Sequence, residues 1–286
     1  MNAPTDGPRR CPASVADAGA KPATAIPRRS VRAARSWATA LLWQGRQPGA
    51  LVEIVFLLVW FLLFTRLEAG AGKDFAAATA NAHALQHLER TLHIDIERHA
   101  NEWLAGNLVL SHVAVYVYRL YYAVIAGVLV WVFIRHSVVY LQVRRTMVAM
   151  TVLVLPVYWA VPMSPPRFTV PGVVDIVARY DIVGRASRQS WTHPGHLTAM
   201  PSLHVGWSLW CAYAAWSALR GTRPRLALSS WLFPLLMATT VLATGNHYVL
   251  DVVGSLVLMT CSVLVASTWG RLARQRRAHS RQPADT

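Results

Sequence analysis

Residues 108–134 read LVLSHVAVYVYRLYYAVIAGVLVWVFI, a run in which Arg119 is the only formally charged side chain. A helix of this length exceeds the roughly 30 Å of hydrocarbon in a bilayer, and it shows no polar face of the kind a surface helix carries. Working outward, five further stretches of the same character end where charge, Pro or Gly returns: 49–67, 146–163, 199–219, 227–244 and 248–269. The expected fold class is therefore all-α, a polytopic membrane protein built as a bundle of six transmembrane helices. Three regions follow: a basic, largely disordered N-terminal segment 1–48, a six-span domain 49–270 and a basic tail 271–286.

Composition agrees with that reading. Of 286 residues 54% are hydrophobic and 14% charged, too apolar for a disordered chain. Cys11, Cys211 and Cys261 have no CxxC spacing, which excludes a disulfide scaffold and a cysteine zinc site. The net charge of +15 would suit a nucleic-acid partner only if the basic residues lined one soluble domain. Instead they alternate with the spans, so membrane topology explains them and no nucleic acid is expected. On one side, the N-terminal segment, the turns around Arg135–Arg145 and Arg220–Arg225 and the tail together carry nineteen bases against Asp6, Asp17 and Asp285. The other side carries eight bases and eight acids. Both termini are therefore expected in the cytoplasm. The preference for Arg over Lys and the abundance of Ala point to a high-GC bacterial source, hence a plasma-membrane location.

Outside the spans, Val31, Ala34, Ala38, Leu41 and Leu42 recur at helical spacing among arginines, which suits a helix on an anionic leaflet or a solvated basic tail. The charged region before the first span is too long for a cleaved signal peptide. Between the first two spans, Phe75, Ala78, Ala82, Leu85, Leu88 and Leu92 repeat every three or four residues, predicting an amphipathic helix on the outer face. A shorter one follows through Ile96, Trp103 and Leu104. His83, His87, His93 and His99 fall on the polar faces of these helices.

Three segments can carry chemistry, and the topology puts all of them at the outer face: Met163-Ser-Pro-Pro-Arg167-Phe168, Ala199-Met-Pro-Ser-Leu-His204 and Thr244-Gly-Asn-His-Tyr-Val-Leu-Asp251. His247 and Asp251, four apart, share a helix face, so the carboxylate can fix the imidazole tautomer and present the other nitrogen as nucleophile or base. An ionisable pair at a membrane-span terminus is costly and tends to be functional. Pro201 and Ser202 resemble a helix N-terminus with free amides that attract an oxyanion; a structural turn with a hydrogen-bonded core His204 is the bland reading. Arg167, stiffened by two prolines, can present a guanidinium to phosphate; alone it is an interfacial arginine.

As a set, Pro-Pro-Arg167, Pro201-Ser-Leu-His204 and His247-Tyr-x-x-Asp251 resemble the type 2 phosphatidic acid phosphatase superfamily, and more closely the branch that includes the fungal inositol phosphorylceramide synthases. The resemblance covers roughly residues 50–270. It implies a metal-independent lipid phosphate phosphatase or phosphoalcohol transferase, without cofactor, acting through a phosphohistidine, possibly of the inositolphosphotransferase type. Its partners would be a lipid phosphate or phospholipid substrate and the bilayer, with the active site at the extracytoplasmic face. By the resemblance His247 is the nucleophile, Asp251 its orienter and His204 the general acid, while Ser202, nearby amides and Arg167 hold phosphate oxygens. Two positions depart from the pattern: the superfamily's first-motif lysine is replaced by Ala160, and its third-motif arginine by Val241. Leu203, where most of the superfamily has Gly, agrees with the synthase branch. One arginine is few for a phosphoryl transition state, so substitutes are expected. Arg119, buried at mid-span among Tyr116, Tyr118, Tyr121 and Tyr122, either contacts substrate or pairs inside the bundle; Arg185 and Arg188 are further loop donors. His193 and His196 form an HxxH without a third ligand at helical spacing, a poor match to zinc.

Two rivals from other classes make different predictions. A transporter or non-catalytic scaffold with a buried Arg119/Asp251 pair would tolerate His247→Ala. A membrane-anchored binder of anionic polymer would depend on residues 1–46.

Overall fold

The computed structural model describes residues 43–44, 47–71, 73–181 and 197–279. Arg185, Arg188, His193, His196 and nearly all of the segment expected on the inner leaflet lie outside the described residues. A two-residue hairpin, Trp43–Gln44 with Gln47–Pro48, leads into α1, Ala50–Ala69. Then come α2 (Phe75–Thr91), α3 (Glu97–Ala105), α4 (Leu108–Arg135), α5 (Ser137–Ala160), the short turns α6 (Pro166–Thr169) and α7 (Ile176–Arg179), α8 (Leu203–Leu219), α9 (Pro224–Ser229), α10 (Leu232–Ala243) and α11 (Val249–His279).

Among the described residues, five stretches are helical, long and apolar enough to cross a bilayer: α1, α4, α5, α9 with α10, and α11. The sixth expected span, 199–219, is helical only over the 17 residues of α8, roughly 25 Å. Its first residues are extended because Pro201 disfavours helix at Met200, and because Ser202 turns its side chain to cap the helix, accepting the Val205 amide at 3.4 Å. His204 is thereby placed in the first turn of α8. The last helix runs ten residues beyond the expected limit, carrying Arg271, Arg274 and Arg276 on regular helix.

α8 is the hub, packing on α4, α5, α9, α10 and α11, while α5 lies along α11. Trp210, fully buried on α8, donates its indole N–H to the Val143 carbonyl at 3.0 Å, and Met150, Val154 and Met237 close around it. α1 stands apart on the bundle's flank. Its Leu51, Ile54, Val55, Leu58, Val59 and Phe61 are each about half exposed, an apolar surface suited to lipid and not to water. Polar contacts tie it to α5: Trp60 donates to Thr151 at 3.0 Å, and buried Glu53 accepts from both Tyr140 and Arg144 at 2.6 Å. A buried carboxylate needs such partners.

α2 and α3 sit over the helix ends that carry the chemistry. The stripe α2 buries is Ala78, Ala82, Leu85, Gln86 and Glu89, whereas Phe75, Leu88 and Leu92 are about half exposed. The helix is thus rotated from the face its apolar spacing predicts. Two small alanines let it approach the loop after α5, where the Ser164 amide donates to the Ala78 carbonyl at 3.2 Å and Asn81 donates to the Pro162 carbonyl at 2.9 Å. From α3, Asn101 donates to the carbonyls of Val174 and Ala243 and accepts the Val174 amide, tying three chain segments together.

Candidate active site

The turn between α10 and α11 is built around Gly245. Its φ of +73° lies in the left-handed region, and a Cβ there would meet Val173 Cγ1 at 2.5 Å, so only glycine fits. Its carbonyl accepts the Arg167 amide at 3.0 Å, which stitches the first motif to the third. Asn246 donates its side-chain amide to Thr244 Oγ1 at 2.7 Å and so turns its oxygen toward the Arg167 guanidinium, which it accepts in a short hydrogen bond. Arg167 Nε also lies 3.3 Å from an Asp175 carboxylate oxygen.

His247 follows. Its Nδ1 is 2.9 Å from the Ala199 carbonyl and 3.3 Å from Asp251 Oδ2. Both are acceptors, so Nδ1 carries the hydrogen and the lone pair is on Nε2. Asp251 is fully buried; its Oδ2 also accepts the Tyr248 amide at 2.9 Å, and its Oδ1 has no hydrogen-bond partner among the described residues. The His204 ring stacks on Tyr118 at 4.2 Å and tilts against Tyr121 at 4.6 Å. Its centroid is 5.9 Å from that of His247. Ser255 ties the second motif to the third, donating to the carbonyls of both Ser202 and Asp251 at 2.8 Å.

Arg167, His204, Asn246 and His247 line one cavity of about 570 Å³. From them the cavity follows α1 and α4, past Glu68, Phe64, Phe61 and Leu57 on one wall and Tyr122, Ile125 and Leu129 on the other. Leu57 and Glu68 stand eleven positions apart on α1, about 16 Å of helix, and along that distance the lining passes from Glu68 and Thr65 to Phe61 and Leu57.

Of the residues singled out in the sequence, His204, His247, Asp251 and Arg167 converge at this place. Ser202 is buried beside them, but its hydroxyl caps α8 and does not line the cavity. Arg119 pairs with Asp181 at 2.8 Å and is not among the cavity-lining residues, while Asp251 is engaged by His247 and Tyr248. Val241, at the departed cation position, is a core side chain whose carbonyl accepts the Asn246 and His247 amides. Among the described residues no three His, Cys, Asp or Glu side chains gather as metal ligands. Sequence reasoning assigned no role to Asn246, Asp175, Glu89 or Glu97. Asn246 stood inside the quoted motif and could have been found as a polar neighbour of His247.

Two histidines, one hydrogen-bonded to a carboxylate and one against two tyrosines, thus stand with an arginine in one place of a helical protein whose apolar helices suit a membrane. A family model described as the PAP2 superfamily matches residues 83–265, and the chain belongs to that superfamily. No curated protein and no solved structure matches it.

Proposed function

We propose that the protein is a lipid phosphatase or phosphotransferase that passes a phosphoryl or phosphoalcohol group through His247. The observation that carries this is the free Nε2 of His247 sharing a cavity with His204 and Arg167. In the first half-reaction Nε2 attacks phosphorus, the bond to the leaving oxygen breaks, and protonated His204 gives that oxygen its proton. In the second, an acceptor hydroxyl loses its proton to His204, its oxygen bonds phosphorus and the P–N bond breaks. Arg167, steadied by Asn246, holds the non-bridging oxygens, and Asp251 balances the positive charge that His247 gains. The apolar walls of α1 and α4 receive the lipid chain.

Transfer to an alcohol, as in an inositolphosphotransferase-type synthase, is favoured by charge. Arg167 is paired with Asp175 and Arg119 with Asp181, a balance that suits a monoanionic phosphodiester better than a dianionic monoester. The basic residues at the ends of the helices remote from the site support a cytoplasmic location for both termini, which puts the cavity at the extracytoplasmic leaflet of the plasma membrane.

The test is purified protein in detergent with chelator, offered phosphatidate, polyprenyl diphosphate, and phosphatidylinositol with a lipid alcohol. At least one should turn over, and His247→Ala and His204→Ala should each lose orders of magnitude. An acid-labile, alkali-stable phosphoenzyme should form in wild type and be absent from His247→Ala. Turnover by His247→Ala at the wild-type rate would end the proposal.

A further inference from the structure

The first turn of α11 follows the proposed nucleophile directly, and its amides are not capped by their own neighbourhood alone. The Tyr248 amide goes to Asp251, four residues after His247. The next two amides reach across the fold: Val249 donates to Glu97 Oε1 at 2.9 Å, and Leu250 donates to Glu89 Oε1 at 2.7 Å. Glu89 on α2 and Glu97 on α3 are 0% and 3% exposed. Neither forms an ion pair among the described residues.

Two buried carboxyls without a cation are costly as two anions. Glu89 and Glu97 accept from consecutive amides of the same turn, and Glu89 Oε2 is buried without a hydrogen-bond partner among the described residues. A single proton held between them removes one charge and satisfies that oxygen. The remaining negative charge then faces the positive end of α11.

We propose that Glu89 and Glu97 share one proton as an acid–carboxylate clamp on the first turn of α11 and are positioning residues for His247. The inference rests on His247 being the nucleophile. The clamp sets the direction in which the chain leaves His247, so the imidazole meets phosphorus only while both amides are held. α2 and α3 are therefore part of the machinery through backbone contacts and touch no substrate.

The titratable groups facing Glu89 are Glu97 from α3 and Asp251 and Tyr248 from the start of α11. Arg90 on α2 turns toward Asp95 at 3.9 Å on the exposed side, and Arg167 on α6 is held by Asn246 and Asp175. Burial is the main cause that raises the Glu89 carboxyl to about 8; the Leu250 amide opposes it, and Glu97 and Asp251 reinforce it. Loss of the shared proton above that pH would leave two buried anions beside Asp251 and loosen the turn.

The test compares full-length wild type, Glu89→Gln and Glu89→Ala in detergent, assayed on the same lipid panel. Gln keeps the oxygen that accepts from Leu250 and offers Glu97 a permanent donor; Ala keeps neither. In Glu89→Ala kcat should fall about 100-fold with KM little changed, the scale of a small misplacement of a reacting group. Glu89→Gln should recover most of the rate. Wild-type kcat should decline as pH rises through about 8, and Glu89→Gln should lack that decline. A Glu89→Ala enzyme with unchanged kcat, a Glu89→Gln enzyme as impaired as Glu89→Ala, or the same alkaline decline in Glu89→Gln would overturn the clamp. Should wild type turn over none of the lipids, the catalytic reading fails, and hydrogen exchange at Val249 and Leu250 decides the clamp alone. Below pH 8 those amides should be protected in wild type and Glu89→Gln and exposed in Glu89→Ala; equal exchange in all three would refute it.

Discussion

Asp251→Asn separates charge from geometry at the proposed nucleophile. In the structure one carboxylate oxygen accepts from both His247 Nδ1 and the Tyr248 amide, and the other has no partner. Asparagine can put its carbonyl oxygen in the first place and its NH₂ in the second. The ring tautomer survives, because Ala199 also accepts from Nδ1 and at the shorter distance of 2.9 Å. What is lost is an anion 3.3 Å from a ring that becomes cationic once Nε2 bonds phosphorus. At an effective dielectric of about 20, unit charges about 4 Å apart interact by about 4 kcal/mol, an upper bound of roughly 1000-fold in rate. The expected result is a fall of about 100- to 1000-fold in the rate of phosphoenzyme formation, read in a single-turnover quench on whichever lipid wild type accepts. Substrate affinity should change little, because Asp251 does not line the cavity and its charge acts on the ring once Nε2 bonds phosphorus. The orphaned NH₂ should cost about 1–3 kcal/mol of stability, read as a lower melting temperature. An Asp251→Asn enzyme within tenfold of wild type in phosphoenzyme formation would show that the carboxylate does not balance charge in the transition state.

Arg167→Lys removes the planar fork that Asn246 and Asp175 hold and should lower kcat about 100- to 1000-fold, measured as initial rate at saturating lipid. Gly245→Ala combines a left-handed φ with a Cβ 2.5 Å from Val173 Cγ1, and should lose about 2–4 kcal/mol in thermal unfolding. Asp175→Asn frees Arg167 from its counter-charge; inorganic phosphate should inhibit about fivefold more tightly, from the roughly 1 kcal/mol of a partly exposed ion pair. Because the Glu89 carboxyl is raised from 4.5 to about 8, the folded protein binds a proton that the unfolded chain releases. Its stabilising contribution is fully present below 4.5 and lost as pH rises to about 8, so the melting temperature of wild type relative to Glu89→Gln should fall across that window.

The helical membrane class was legible because hydrocarbon thickness writes itself into run length, as in residues 108–134. The limits of the runs were less so. Hydropathy does not register that Pro201 and Ser202 stop a helix, so the expected span 199–219 begins four residues early. Nor does it register that arginine is a good helix former, so α11 continues through Arg271, Arg274 and Arg276. At the site, the motif residues His204, His247 and Arg167 line one cavity with Asp251 against His247, but their partners were hidden by distance along the chain. Glu97 and Glu89 meet amides 152 and 161 residues away. On α2 the periodicity found Ala78, Ala82 and Leu85 of the buried stripe but added Phe75, Leu88 and Leu92, which are about half exposed, and gave no sign of the buried Glu89. A buried glutamate looks the same in sequence as a solvated one until the amide that receives it is known.

The two departed cation positions are better understood from packing than from the motif alone. Val241 lies fully buried in the apolar core, and its backbone carbonyl receives the amides of Asn246 and His247. An arginine there would stand where a side chain is now fully buried in an apolar cluster, a costly place for a charge without a partner. Ala160, at the end of α5, sits where the chain turns into the Met163 bridge with Thr198. The guanidinium of Arg167 is instead oriented by an amide oxygen from the turn that carries His247. Because Asn246 is followed directly by His247, a shift of that turn moves the oxygen that steadies Arg167 and the His247 imidazole together. On the proposed mechanism, the first turn of α11, whose amides meet Glu97 and Glu89, is therefore the element whose displacement would disturb both groups at once.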